Sequence, residues 1–206
     1  MAGAVMDHRN LRVFALAVAL VLSGCGASSE PARDQAPPLA GASIGGPFTL
    51  VNQDGRTVTQ ADFAGKYRIM YFGYTYCPDV CPVDMQNLGT AMRDLDKNDP
   101  AISKKIVPIF VSVDPARDTP DVLKQFVSAF YPRLVGLTGS EDAIARTAKE
   151  YAIFFKKVPP SEGTKGYLVN HSTTAYLMSP NGDPIALVPV DESPDAVEAV
   201  LKRWVR

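Results

Sequence analysis

The chain has 206 residues, 46% of them hydrophobic and 21% charged, an ordinary globular composition with room for one sizeable core. Its 21 Lys and Arg nearly balance 22 Asp and Glu, and no block of like charge interrupts it. A nucleic-acid-binding protein, which needs a concentrated cationic face, is thereby set aside, as is an acidic tail.

The first element is at the N-terminus, where Arg9 and Arg12 precede an apolar run over residues 13–22 that ends in Leu22-Ser23-Gly24-Cys25. About ten apolar residues are too few to cross a hydrocarbon layer of about 30 Å, but suit the h-region of a signal peptide. The ending resembles the bacterial lipoprotein cleavage box, in which a small residue precedes a cysteine that is lipidated and becomes the mature N-terminus. A plain signal peptide or a short uncleaved anchor is the alternative. The expectation is a lipoprotein-type signal peptide over residues 1–24, lipid on Cys25, and attachment to the periplasmic face of a bacterial membrane. Residues 25–46 are rich in Ala, Ser, Pro and Gly, with too little apolar surface to order themselves, and are expected to form a flexible tether. The folded domain is expected to span residues 47–206.

Within it, residues 48–51 and 56–59 flank Asn52-Gln53-Asp54-Gly55, a leading hairpin. Residues 68–74 form a continuous apolar and aromatic run, as in a central strand buried on both faces. Val83, Met85, Leu88, Met92 and Leu95 then recur at helical spacing over residues 82–96, with Pro82 in the first turn. Residues 106–113 (IVPIFVSV) read as a second buried strand. Thr119-Pro120 opens a second helix as N-cap and N1. A short strand over 134–137, a Ser140-capped helix to about Tyr151, a strand over 153–158 and an exposed loop over 159–166 follow. Strands over 172–178 and 185–190 flank Pro180-Asn181-Gly182-Asp183, a strong hairpin signal, and Ser193-Pro194 opens a closing amphipathic helix. The fold class is therefore α/β: a thioredoxin-like fold with a central mixed sheet, a leading β-hairpin and an inserted helix and strand.

With Cys25 assigned to lipid and His8 in the signal region, Cys77, Cys81 and His171 are the remaining thiols and imidazole. Cys77-Pro-Asp-Val-Cys81 falls at a strand-to-helix junction, where the helix start is expected to favour a thiolate at Cys81. Three readings compete: a redox pair, a metal clamp or a structural staple. The staple is the weakest, because so short a loop restrains the unfolded chain little. Two thiolates and one imidazole suit Cu(I) and can also hold Cu(II), whereas a closed zinc site normally takes four ligands. The segment Asn170-His171-Ser172-Thr173-Thr174 occupies the place where thioredoxins carry a cis-proline beside their cysteines; here a histidine stands instead.

Together YCPDVCP, SVDPARDTP (residues 112–120) and VNHSTTAYLMSPNG resemble the Sco/SenC family of copper-binding, thioredoxin-fold proteins over roughly residues 45–206. The resemblance implies copper, Cu(I) or Cu(II), held by Cys77, Cys81 and His171. It also implies delivery to the CuA domain of cytochrome c oxidase subunit II, with thiol-disulfide exchange at Cys77 and Cys81 towards that site. An upstream copper donor or thiol reductant would be a further partner. The alternative is a periplasmic, membrane-tethered thiol-disulfide oxidoreductase without a metal; CxxxC in place of CxxC and a His171 without a task count against it. Asp79 and Asp114 are candidates to orient a ligand or tune its charge, each also an ordinary turn residue. Arg117 shares the Asp114 loop. Tyr74 and Tyr76 are candidate walls of the site, while Tyr71, Phe72 and Met85 are expected in the core.

Overall fold

The computed structural model describes residues 35–159 and 166–206. The expected signal peptide, Cys25 and most of the expected 159–166 loop lie outside the described residues. In chain order the elements are β1 (Thr49–Asn52), β2 (Thr57–Thr59), β3 (Tyr67–Gly73), α1 (Val80–Asn98), α2 (Pro100–Ser103), β4 (Ile106–Ser112) and α3 (Pro120–Phe130). There follow β5 (Val135–Thr138), α4 (Glu141–Glu150), β6 (Phe155–Val158), β7 (Leu168–His171), β8 (Ala175–Met178), β9 (Pro184–Leu187) and α5 (Pro194–Trp204). Seven strands form one mixed sheet in the order β2-β1-β5-β4-β3-β8-β9, and β6 and β7 form a separate two-stranded sheet.

Local chemistry accounts for most of these boundaries. In the leading hairpin the Asn52 side chain accepts from the N–H groups of Asp54 and Arg56, and Gly55 takes the positive φ of +74° that the turn demands. Thr119, Ser140 and Ser193 accept from the Val122, Ala143 and Ala196 N–H groups at the starts of α3, α4 and α5, each satisfying one otherwise orphaned donor.

Burial explains the sheet order. Every residue of β3 from Arg68 to Gly73 is buried, because β3 lies between β4 and β8 with α1 and α5 packed on the sheet-helix core. Each fully buried Ile, Leu or Phe contributes about 1.5–3 kcal/mol relative to exposure. Strands β3 and β4 run parallel in register from Tyr67↔Ile106 to Gly73↔Ser112. Their C-terminal ends therefore lie side by side, and the loop carrying Cys77 leaves the sheet next to the loop carrying Asp114 and Arg117.

Three expectations need correction. The first helix starts at Val80, not Pro82, so Cys81 is its second residue. The strand expected over 172–178 begins only at Ala175 as β8, and a strand that was not expected, β7, ends at His171, so the insertion is a helix plus a two-stranded hairpin. In β7 only Val169 is buried, so no apolar pattern marks this strand in the sequence. Finally, the stretch expected as tether through residue 46 is bound to the fold near its end. Leu39 N–H bonds Ile185 O at 3.0 Å, Gly45 N–H bonds Glu150 O at 2.8 Å, and Leu39 and Ile44 pack against the core. Two apolar side chains suffice once the docking groove already exists.

Candidate metal centre

The site is assembled where β3 ends. After Gly73 the chain turns outward through Tyr74-Thr75-Tyr76 to Cys77, and this turn is fastened to its neighbour by a buried carboxylate. Asp118 accepts from Thr75 N–H at 3.0 Å, Thr75 Oγ1 at 2.6 Å and Ser112 Oγ at 2.5 Å. Burial pushes the Asp118 carboxyl above its ordinary range, while the Ser112 and Thr75 donors pull it back down. Sequence reasoning passed over Asp118; its only one-dimensional signal is its place in the SVDPARDTP stretch, between a buried strand end and a helix cap.

Cys77 is half-buried and Cys81 fully buried. Both thiols are free, with Cys81 N–H 3.5 Å from Cys77 Sγ. His171, last residue of β7, points Nε2 at Cys81 Sγ from 3.3 Å, and its Nδ1 lies 2.9 Å from Ser172 O. A carbonyl oxygen can only accept, so Nδ1 carries a proton, and Nε2 faces the sulfurs, as a donor to a thiolate when the ring is protonated and as a lone pair for a metal when it is neutral. Ligand atoms of Cys77, Cys81 and His171 all lie within 4.8 Å of one another, a group able to hold a metal ion. The three sequence candidates, with Cys81 and His171 ninety positions apart, are thus brought together.

The two thiols are electrically unlike, and the expected thiolate at Cys81 is corrected. Cys77 is the anion: a hydrogen bond from the Cys81 thiol, then one from His171 and the backbone N–H groups of Asp79 and Cys81, hold it at about 3 against the opposing effect of burial. Cys81 is pushed far up, first by its bond to the Cys77 thiolate and then by burial. Helix-dipole reasoning favoured the residue nearer the helix start, but full burial there outweighs the dipole, while the half-exposed neighbour collects the donors. Burial pulls the His171 imidazole down, yet the Cys77 thiolate and the Ser172 carbonyl raise it overall. Nε2 is nearest to Cys81, but its proton preference follows the charge on Cys77.

Asp79 does not fill the orienting role considered for it: its carboxylate is exposed and makes no cap bond to α1, and only its backbone N–H serves Cys77. Asp114 is buried but touches no ligand; it pairs with Arg117 and accepts from Tyr167 Oη at 2.6 Å. Tyr74 does wall the site, its ring edge-on to His171 with centroids 5.8 Å apart, and Tyr76 stands exposed at the mouth. Phe72 and Met85 are core. Tyr71 is buried as expected, but its hydroxyl lies beside Cys81 and donates to Asp84 at 2.8 Å. Asp84, a buried carboxyl raised first of all by its own burial, was also missed; its helical position beside Met85 carried no sequence sign of burial. Gly73 completes the floor. A Cβ there would stand 2.9 Å from both Cys81 Sγ and the Tyr71 ring, so only glycine lets the strand end pass beneath the thiol.

With this arrangement in view, the family model described as SCO1/SenC matches residues 36–206. The chain belongs to the SCO1/SenC family. Among its relatives, Protein SCO1 homolog 1, mitochondrial, of Arabidopsis thaliana is 44% identical over 144 residues, covering 69% of this chain and 42% of that protein. The chain spans about half the length of the curated SCO relatives it matches. Among solved structures, the crystal structure of Arabidopsis thaliana ScoI with copper bound has a TM-score of 0.71 at 38% identity, covering 78% of this chain and 97% of that one. BsSco, described as having a disulfide switch and as a member of the Sco family of cytochrome c oxidase assembly proteins, has a TM-score of 0.57 at 28% identity, with 76% and 90% covered. The thioredoxin domain of a Bacteroides vulgatus thiol-disulfide oxidoreductase, at 16% identity and a TM-score of 0.54 over 80% of this chain and 96% of that one, shows the shared fold alone.

Proposed function

We propose that the reduced protein binds one copper ion through Cys77, Cys81 and His171 and delivers it to the CuA site of cytochrome c oxidase subunit II. The observation that carries this reading is the convergence of two sulfurs and a correctly tautomeric imidazole within 4.8 Å. The donor set is soft enough for Cu(I) and adequate for Cu(II), and the relative with copper bound supports the choice of metal. With both cysteines as thiolates the site carries a charge of −1 around Cu(I) and none around Cu(II), so either ion is tolerated. Cys77 is ready as a thiolate, whereas Cys81 must give up its proton, so loading releases about one proton per copper. Transfer proceeds by ligand exchange, the recipient's thiolates replacing Cys77 and Cys81 in turn. Copper arrives from an upstream donor, or the pair is first reduced by a thiol reductant. Lipid on Cys25, after removal of residues 1–24, holds the domain at the periplasmic face of a bacterial membrane.

Competition titration of the reduced protein against a chromophoric Cu(I) chelator tests the ligand set. His171→Ala is expected to weaken copper binding by more than about tenfold while the Cys77–Cys81 couple stays reducible; unchanged affinity overturns the three-ligand reading. A second reading has its own support, since a half-buried low-pKa thiolate at Cys77 beside a fully buried thiol is the arrangement of an attacking and a resolving cysteine. Oxidase activity in a deletion strain separates the two. Rescue by added copper supports delivery, and a general disulfide-exchange defect without rescue supports the oxidoreductase.

A further inference from the structure

We propose that Arg117 is a positioning residue that sets the distance from His171 to the two cysteines, acting as the joint between the loop that carries Cys77 and the hairpin that carries His171. This inference rests on the three-ligand reading above and deepens it.

The problem the fold has to solve is one of separate supports. Cys77 and Cys81 sit at the end of β3 in the seven-stranded sheet, whereas His171 sits on β7, which pairs only with β6. No ladder hydrogen bond joins β7 itself to β3; the nearest ladder pair, Tyr71↔Ala175 on β8, lies four positions beyond His171, so the hairpin is tied to the main sheet at that end only and its remaining freedom is limited by side chains that bridge to the Cys77 loop. Arg117, from the loop between β4 and α3, is such a side chain. Its guanidinium lies over the Tyr167 ring at 3.8 Å, the Tyr76 ring at 5.0 Å and the Tyr74 ring at 5.6 Å from the centroids. Tyr74 and Tyr76 lead directly into Cys77, and Tyr167 leads directly into β7.

Hydrogen bonds lock the stack. Arg117 Nη1 donates to Tyr167 O at 2.9 Å, Nε donates to the Asp114 carboxylate, and Tyr167 Oη donates to the same carboxylate at 2.6 Å. A planar guanidinium does this where an ammonium would not, because its edge reaches a carboxylate and a carbonyl while its faces take rings. The buried Asp114 balances the charge, which is the task its place in the loop serves. Tyr74 carries the constraint to the ligand itself, with its ring edge-on to His171 and its hydroxyl against the Val169 backbone. The ion pair of Lys157 on β6 with Glu141, at 3.0 Å, is largely exposed and correspondingly weak. A site held by three ligands loses affinity when one of them drifts by about an ångström, so the joint acts on copper through His171.

The test is a double-mutant cycle in the full-length reduced chain, read by competition for Cu(I) against a chromophoric chelator. Arg117→Ala and Tyr167→Leu are each expected to weaken copper binding by about tenfold or more. Neither is expected to weaken it further once His171→Ala is present. Tyr167→Leu leaves the charges around the thiols unchanged, which separates geometry from electrostatics. Where Arg117→Ala fails to fold, Arg117→Lys keeps the charge, loses the fork and is expected to show the same loss. Wild-type affinity in Tyr167→Leu, or losses that simply add to that of His171→Ala, overturns the proposal. If His171→Ala itself binds copper like the wild type, the three-ligand reading fails, and the joint is then judged by amide exchange. In Tyr167→Leu the β6 and β7 amides should exchange at least about tenfold faster with β3 and β4 unchanged; no difference overturns the joint as well.

Discussion

At the start of α1, two thiols four residues apart meet opposite surroundings: Cys77 is half-exposed and surrounded by donors, while Cys81 is sealed beneath Tyr71 and Gly73. Of these two cysteines, the reduced, metal-free protein should therefore show only one as reactive. Carboxamidomethylation of Cys77 by iodoacetamide is expected to keep its rate from pH 8 down to about pH 5, because its thiol is held at about 3, with Cys81 unmodified. A rate falling about tenfold per pH unit below pH 8, as for an ordinary thiol near 8.5, would refute the assignment. At Gly73 the test is steric. Gly73→Ala places a methyl 2.9 Å from Cys81 Sγ and is expected to cost about 1–3 kcal/mol in urea unfolding together with a measurable loss of copper affinity; a variant equal to the wild type in both would show the floor to be slack. The identity of the three candidate ligands was legible because so few soft donors exist in the chain. Which cysteine carries the charge was not legible, since it depends on exposure and on donors from residues distant in sequence.

Between elements, the clasp of Tyr71 on β3 with Asp84 on α1 places a carboxyl under the site. Burial raises its folded pKa above the unfolded value of about 3.9. The sign follows directly: a group with a raised folded pKa contributes stability that is full below the unfolded value and lost as pH rises through the folded one. Asp84→Asn keeps an acceptor for the Tyr71 hydroxyl and removes the charge, so its stability relative to the wild type should climb between pH 4 and pH 7. Urea midpoints at the two values check this, and a constant difference would mean that Asp84 ionises without penalty. Helix starts at Thr119, Ser140 and Ser193 were legible because capping is a matter of adjacent residues. Strand β7 was not, because only Val169 of its four residues is buried and its pairing with β6 is decided by tertiary contact alone.

On the scale of the whole molecule, one compact unit spans Ala36–Arg206 and so begins earlier than composition implied. The chain lacking residues 1–35, which keeps the whole of that unit, is the reference. Removal through residue 46 deletes the Leu39–Ile185 and Gly45–Glu150 backbone bonds and the packing of Leu39 and Ile44, and should cost about 2–4 kcal/mol. Equal midpoints for the two truncations would return the segment to the tether.

By itself the amino-acid sequence determined most of the strand and helix order, the turn at Asn52 to Gly55, the helix caps and the soft donor set. Each of these follows from periodicity, from the chemistry of neighbouring residues or from the scarcity of thiols and imidazoles. Tertiary structure alone decided that β7 leaves the main sheet, that Cys77 holds the negative charge, that Asp84 and Asp118 are buried, and that Arg117 lies among three tyrosines from two segments. All of these depend on which surfaces meet when loops at the ends of β3 and β4 are brought side by side, and contact between residues dozens of positions apart leaves no local pattern from which to read it.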